Sequence, residues 1–214
     1  MQIEIFSDIV CPWCYIGKRR LDGVLAGELG ADVELVWRPY QLYPELPAHG
    51  INRDAFILAR NPGAQDLDTL RAKIPSRIRA EAEDVGLQFD FAAMQHMPNT
   101  RLAHRLLDYG ATHDVQHELA EVLFSYHFCE GRNVGEPAVL GEAAAEVGLD
   151  AACVAAYLAG DDGVVQLDAQ LERGIELGVG GVPCFVFANG FMLPGAQQPE
   201  VIEQFITRAK ERFG

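Results

Sequence analysis

Ile3-Glu4-Ile5-Phe6-Ser7-Asp8-Ile9-Val10-Cys11-Pro12-Trp13-Cys14 puts two cysteines three positions apart, just behind a short apolar run. Residues 2–6 read as a buried strand and residues 7–10 as a short loop. A helical pattern opens at Cys11 and continues to about Glu28. Cysteines so spaced at a helix start hold their sulfurs close enough to form a disulfide. The first lies where free N–H groups and the positive end of the helix dipole stabilise a thiolate. Pro12 falls in the first turn, where its missing N–H costs nothing.

Working outward, Trp13, Ile16, Leu21, Val24 and Leu25 give the helix an apolar face, and Gly27 and Gly30 end it. Val33, Leu35 and Trp37 alternate with polar residues in a second strand over 32–38, stopped by Pro39. Strand, helix and strand within 38 residues make a βαβ unit, whose strands lie parallel. From Tyr40 a loop-rich stretch follows, marked by Pro44, Pro47, Gly50, Pro62 and Gly63. Helical periodicity then predicts helices over 53–60, 66–85, 100–112, 115–129, 137–147, 151–158 and 162–177, with no strand signal between them. Gly86, Gly110, Gly131, Gly148, Gly160 and Gly178 mark helix ends. Strand character returns over 183–187, Asn189-Gly190 signals a hairpin, residues 191–193 return, and Pro199 opens a last helix. A two-stranded sheet is not stable alone, so the two ends must pair with each other. The expected architecture is α/β: residues 1–42 and 173–214 form one βαβ…ββα domain, and 43–172 an inserted all-helical domain.

Composition narrows the function. The 214 residues are 49% hydrophobic and 22% charged, enough for a sizeable core. No basic leader opens the sequence and no run of about 18 apolar residues occurs, so a cytoplasmic protein without a membrane span is expected. Five cysteines without repeated spacing argue against a disulfide-stapled scaffold. Net charge is −14, of which residues 43–172, with 9 basic and 21 acidic side chains, hold −12. This disfavours nucleic acid and anionic membranes as partners. An acidic surface suits basic protein substrates, or is simply a solvated helical face.

Cys-X-X-Cys beside a βαβ pattern reads as a thioredoxin-like redox motif. The competing reading, half of a zinc site, lacks ligands. Cys129, Cys153 and Cys184 are single and scattered, and His113 and His117, four apart and able to share a helix face, have no cysteine nearby. No metal is expected. The second piece is Gly180-Gly181-Val182-Pro183-Cys184-Phe185. A proline that opens a strand behind a valine is a candidate cis bond. Set opposite the dithiol, it would offer backbone groups to an incoming peptide or thiol.

The chain resembles the DsbA-type branch of the thioredoxin superfamily, and within it FrnE-like proteins, a group similar also to 2-hydroxychromene-2-carboxylate isomerases and kappa-class glutathione transferases. The stretches that carry the resemblance are residues 7–18 around the dithiol, Pro98-Asn99-Thr100-Arg101-Leu102-Ala103-His104-Arg105, Gly178-Val179-Gly180-Gly181-Val182-Pro183, and Gly195-Ala196-Gln197. The resemblance implies a thioredoxin-like fold with a helical insertion over the active site. It leaves two chemistries. In thiol–disulfide exchange Cys11 is the exposed nucleophile and Cys14 the resolving thiol. In a glutathione-dependent isomerase or transferase, a small aromatic or polyketide-like substrate occupies the cleft. The isomerase and transferase relatives place serine where this chain has Cys11, so two thiols favour exchange.

Pro12, Trp13, Val182, Pro183, Asn99 and His104 are the candidate substrate-binding residues. Trp13 covers the site, stacking on substrate or packing on the insertion, and His104 either lines the cleft or is a packed helix residue. Asn99 or Thr100 caps a helix. Ile5 stands six residues before Cys11, where DsbA-like relatives often carry an acid, and Glu4 points to the other face. Asp8 is a loop base or, on the blander reading, a turn or cap residue. Cys184 is a third redox thiol or an inert buried one. Cys129 and Cys153 read as core. Lys18-Arg19-Arg20 holds a glutathione carboxylate or forms a solvated face. No cofactor is expected to bind tightly, glutathione is a candidate co-substrate, partners are disulfide-bearing proteins or small molecules, and a homodimer stays open.

Overall fold

The computed structural model of the chain describes every residue except Ala64, Ala188, Asn189 and Gly214. Strand β1 (Gln2–Ser7) runs into helix α1 (Pro12–Leu25) and strand β2 (Glu34–Pro39). β1 and β2 are parallel, in register from Gln2↔Glu34 to Ser7↔Pro39. Near the C-terminus, β5 (Cys184–Val186) lies antiparallel to β1, with Ile5 opposite Phe185 and Phe6 opposite Cys184, and β6 (Met192–Pro194) pairs with β5. The sheet order is β2-β1-β5-β6, so the two ends of the chain complete one four-stranded sheet. The hairpin expected at Asn189-Gly190 includes a residue outside those described.

Strand alternation sorts the two faces. Ile3, Ile5, Phe185 and Leu193 join α1 and α10 (Pro199–Phe213) in the main core. Phe6, Cys184 and Val186 belong to a smaller apolar cluster on the opposite face, with Val179. There the Phe6 ring lies against Gly174 of α9 (Val164–Glu176), where an added Cβ would stand 3.0 Å from the ring. Glu4 shares this face, as expected. Arg38 Nε reaches its Oε1 at 2.7 Å, and Arg173 grips both oxygens at 2.7 and 2.6 Å. Burial raises the Glu4 pKa, but the hydrogen bonds and charges of Arg173 and Arg38 outweigh it and hold the carboxyl below its ordinary value.

Between the two strand pairs run α2 (Arg53–Arg60), α3 (Leu67–Ala72), α4 (Ser76–Asp84), α5 (Arg101–Ala111), α6 (Gln116–Phe128), α7 (Pro137–Glu146) and α8 (Ala151–Ala159). Short polar side chains start several of them: Asn52 accepts from the N–H groups of Asp54 and Ala55, Asp66 from Thr69, and Asp150 from Cys153. The insertion is fastened to α1 by aromatic rings. Tyr15 stacks on Phe124 of α6 at 5.1 Å and 9°, and its hydroxyl donates to Glu121 Oε1 at 2.6 Å.

Several expectations need correction. The helix expected over 66–85 is two helices, α3 and α4, because Pro75 cannot continue the first. α1 ends at Leu25, and a separate 3₁₀ turn covers Glu28–Gly30. The middle of the chain does contain strand: β3 (Ile51–Asn52) pairs antiparallel with β4 (His96–Met97), a ladder too short to leave an alternation signal. Gly110 lies inside α5, not at its end, whereas Gly160 does cap α8, in extended conformation with a φ of −92°. α9 runs through the expected domain boundary at 172/173. Among the described residues, no helix is long and apolar enough to cross a membrane.

Gly131 and Gly148 separate two glycine costs. Both have positive φ, +67° and +82°, but a Cβ on Gly131 would meet the Ala93 carbonyl carbon at 2.4 Å, whereas on Gly148 it would meet nothing within 4 Å. Gly148→Ala should therefore cost about 1–2 kcal/mol, the left-handed penalty alone. Gly131→Ala should cost clearly more, because backbone must shift as well. Urea midpoints at constant slope test this, and equal losses would refute the contact argument.

Candidate active site

The Ser7–Val10 loop delivers the dithiol. Asp8 O accepts from Cys11 N at 3.0 Å, closing a turn that feeds directly into α1. Cys11 is the N-cap, in extended conformation, and its side chain makes no capping bond, so the sulfur stays available at the helix head. Pro12 occupies the first turn, and no acidic side chain stands there to oppose an anion. Cys11 and Cys14 are both free thiols, only 4% and 1% exposed. Cys11 is thus nearly covered, not exposed as expected, because the facing loop closes over it.

The two thiols differ sharply in acidity. A hydrogen bond from the Cys14 thiol lowers the Cys11 pKa. Burial raises it, as does the Asp8 charge, while the N–H groups of Cys14 and Trp13 pull it down again, and the net direction is below the ordinary thiol. Cys14 is pushed well above, first by burial, then by the hydrogen bond and charge it shares with Cys11. The helix start and the shared proton therefore favour one thiolate, at Cys11.

Facing the dithiol is the segment from Gly178 to Cys184. The Val182–Pro183 peptide bond is cis, and the Cys11 thiol donates to Val182 O at 3.6 Å. Gly17, one turn into α1, permits the approach: a Cβ there would stand 3.1 Å from Pro183 Cγ and 3.5 Å from Ala196 Cβ. A groove of about 470 Å³ runs along the same segment, lined by Gly180, Gly181, Val182, Pro183, Cys184 and Met192 among others.

The fold has known counterparts. The DSBA-like thioredoxin domain, as a family, matches residues 2–207. The chain belongs to that family. A probable DsbA oxidoreductase from Streptomyces coelicolor is 30% identical, with a TM-score of 0.86 over 100% of this chain and 92% of that one. YwbO, an uncharacterized protein of Bacillus subtilis, is 27% identical over 99% of this chain and 98% of its own. The fold is shared at 16% identity, with a TM-score of 0.64, by the cytosolic disulfide reductase DsbM of Pseudomonas aeruginosa, solved with glutathione, over 99% of this chain and 100% of that one.

Beside this DsbA-like dithiol lies a buried carboxylate whose setting the sequence did not disclose. Asp8 is fully buried. Its backbone makes the turn, but its side chain caps nothing local: Oδ2 accepts from Leu42 N at 2.7 Å, tying the loop to the chain beyond β2. Oδ1 lies 3.4 Å from His104 Nε2 and has no hydrogen-bond donor among the described residues. His104 is buried too, and its Nε2 donates to Tyr40 O at 3.0 Å. His104 therefore packs behind the dithiol loop. Ser7 Oγ, also buried, has no partner of good geometry, although Cys14 feels it as a nearby hydrogen-bonding group. His127 completes the region: burial pushes its pKa down to about 4, against the opposing pull of Asp8. Neither Ser7 nor His127 was singled out by sequence reasoning. Ser7 stood inside the family-like stretch, whereas a histidine in an apolar helical run gave no signal.

The other candidates fall in varied places. Asn99 is buried, its Nδ2 donating to Leu46 O at 2.8 Å and its Oδ1 accepting from Arg101 N at 3.1 Å. It orders the start of α5, while Thr100 holds the N-cap position without a side-chain bond. Trp13 is half-buried against the core, and the Arg77 guanidinium of α4 lies 5.2 Å from its ring centroid. Lys18 and Arg20 do not form a solvated face. Lys18 pairs with Asp22 at 2.8 Å and Glu121 at 3.0 Å, and Arg20 bonds Glu81 and, at 2.7 Å, Ala196 O, both cations being buried. Cys184 lines the groove but is 3% exposed, beneath the sheet face opposite α1, and burial raises its pKa. Cys129 is half-buried, and Cys153 is exposed in the first turn of α8, not core as expected, because that turn faces solvent. His113 lies in the turn between α5 and α6, so it shares no helix with His117, which binds Asp22 at 2.8 Å. Among the described residues no cluster of histidine, cysteine and acidic side chains fits a metal.

Two measurements check the electrostatics. Alkylation of the reduced protein by iodoacetamide should show Cys11 titrating at lower pH than an ordinary thiol and Cys14 at higher pH. Because the Asp8 charge raises the Cys11 pKa, Asp8→Asn, which keeps an acceptor for Leu42 N, should move the Cys11 midpoint to lower pH. A midpoint that stays put or rises would contradict that repulsion.

Proposed function

We propose that this DsbA-like protein is a thiol–disulfide oxidoreductase of the FrnE type, working through a mixed disulfide at Cys11. The observation that carries the reading is the opposed acidity of the two thiols, Cys11 lowered and Cys14 raised, at the head of α1 under the Val182 carbonyl. The Cys11 thiolate attacks one sulfur of a substrate disulfide. A Cys11–substrate S–S bond forms, the substrate S–S bond breaks, and one substrate thiolate leaves and takes up a proton. Cys14 then loses its proton and attacks the Cys11 sulfur. The Cys11–Cys14 bond forms, the second substrate thiol is released, and two electrons have passed from protein to substrate. The oxidising direction reverses these steps.

The same groups time the second step. Part of what raises Cys14 is its hydrogen bond and repulsion with Cys11. Once Cys11 is tied up in a mixed disulfide, its charge is gone and both effects vanish. Cys14 becomes more acidic when it must act as nucleophile. Pro12 and Trp13 shape the approach, and Val182 and Pro183 offer backbone groups to the substrate chain. Asn99 and His104 act from behind, by ordering the loops against which the dithiol rests.

Exchange of this kind requires no resident cofactor or metal. Glutathione is the natural co-substrate, a reading supported by the fold shared with the glutathione-bound P. aeruginosa reductase. That protein is named cytosolic, and we place this chain likewise in the cytoplasm, acting on protein or small-molecule disulfides. The isomerase alternative ranks second, since both positions of the motif carry thiols.

The reduction of insulin by dithiothreitol should be accelerated by the wild-type protein and not by Cys11→Ser. Cys14→Ser should instead accumulate a covalent adduct with glutathione disulfide, seen by intact mass and released by reductant. Full activity in Cys11→Ser would end this assignment.

A further inference from the structure

The chain carries 17 lysines and arginines against 31 acidic residues, and most of its cations are committed. Nine make ion pairs with carboxylates. Arg53, Arg105 and Lys210 are bound to backbone carbonyls. Lys73, Arg77 and Arg79 depart from this pattern: all three are exposed and make no ion pair among the described residues, and they fall together around the start of α4. One of them reaches the dithiol motif. The Arg77 guanidinium carbon stands 5.2 Å from the centroid of Trp13, two residues past Cys11.

The fold gives Arg77 little reason to be there. It lies in the first turn of α4, where the helix dipole disfavours a cation. The carboxylate that feels its charge, Glu81, is already bonded by Arg20 and Gln198. Contact with the half-buried Trp13 ring holds the guanidinium in place but makes no hydrogen bond with its N–H groups. What remains is a planar fork of N–H donors, resting on a ring that fixes its position, with its polar edge unused. Carboxylates are the ligands that match such a fork in shape and charge. The rest of the molecule repels them, since the net charge is −14.

We propose that Arg77 is a carboxylate-anchoring residue, so that the Cys11 site prefers low-molecular-weight thiols and disulfides that carry a carboxylate, as glutathione does. This rests on the exchange reaction proposed above and adds its substrate preference. Arg77 binds the substrate's carboxylate beside Trp13 while the substrate sulfur meets Cys11. The bonds made and broken are those of the exchange itself.

The test compares oxidation of the reduced protein by three disulfides of different charge: glutathione disulfide, neutral hydroxyethyl disulfide and cationic cystamine. Arg77→Gln should slow the first about fivefold, the worth of one exposed ion pair. It should leave the second within about twofold and speed the third. Added salt should shrink the contrast. Arg79→Gln removes the same charge from α4 and should leave the order of preference unchanged. Equal slowing with all three disulfides would show that Arg77 acts only on the Cys11 thiolate and would overturn the anchoring role, as would an equal effect from Arg79→Gln. A wild-type protein that reacts with none of the three would overturn the exchange reading, and the anchor with it.

Discussion

The antiparallel pairing of β5 with β1 is the contact on which the rest of the structure depends. It joins Phe6 to Cys184 and Ile5 to Phe185, and so closes a loop containing the whole helical segment. The entropy of closing so long a loop grows only logarithmically with length, so a large insertion adds little to the cost of a short one. In return, β5 brings Val182 and Pro183 to the head of α1, where Gly17 leaves room for the proline. The helices then close over both sheet faces, α1 with α6 on one and α9 on the other. Each side has its own tie: Tyr15 with Phe124 and Glu121, and Glu4 with Arg173.

That closure has an electrostatic side. A dithiol nearly sealed from solvent would normally be held neutral by desolvation, which burial alone imposes on both Cys11 and Cys14. Local hydrogen bonds reverse this at one sulfur and leave it in force at the other. Asp8 works against a thiolate at Cys11, yet is buried beside it with one oxygen lacking a hydrogen-bond donor among the described residues. A buried polar atom left unbonded costs stability. Its position follows from the turn that presents Cys11 and from the bond to Leu42 N, two needs met by one residue.

Much of this was legible in the residues, for physical reasons. Cys-Pro-Trp-Cys announced a helix head, and alternation in Val33, Leu35 and Trp37 announced a parallel partner for β1. The helices around Leu106, Leu119 and Leu140 were visible because one face of each is buried. Misreadings fell where local pattern and tertiary need diverge. Pro75 splits a helix whose apolar periodicity runs on regardless. The β3–β4 ladder is too short to alternate. Lys18 and Arg20 look like a solvated face until Glu121 and Glu81, from distant helices, arrive to pair with them. The burial of Asp8 was illegible for the same reason: its partners, Leu42 and His104, come from elsewhere in the chain.

The distance in sequence between the two halves of the site has a consequence for the chain as it is made. Cys11 and the Val182 carbonyl that covers it are 171 residues apart. At a ribosome's pace of roughly 5–20 residues per second, the strand that completes the sheet emerges roughly ten to thirty seconds after the cysteines. Through that interval the nascent polypeptide carries two thiols on a half-built sheet, with neither β5 nor the facing loop in place. During that time they are unshielded sulfhydryls, open to whatever oxidants and metals the surroundings hold. Only the pairing of β5 with β1 turns them into a guarded pair.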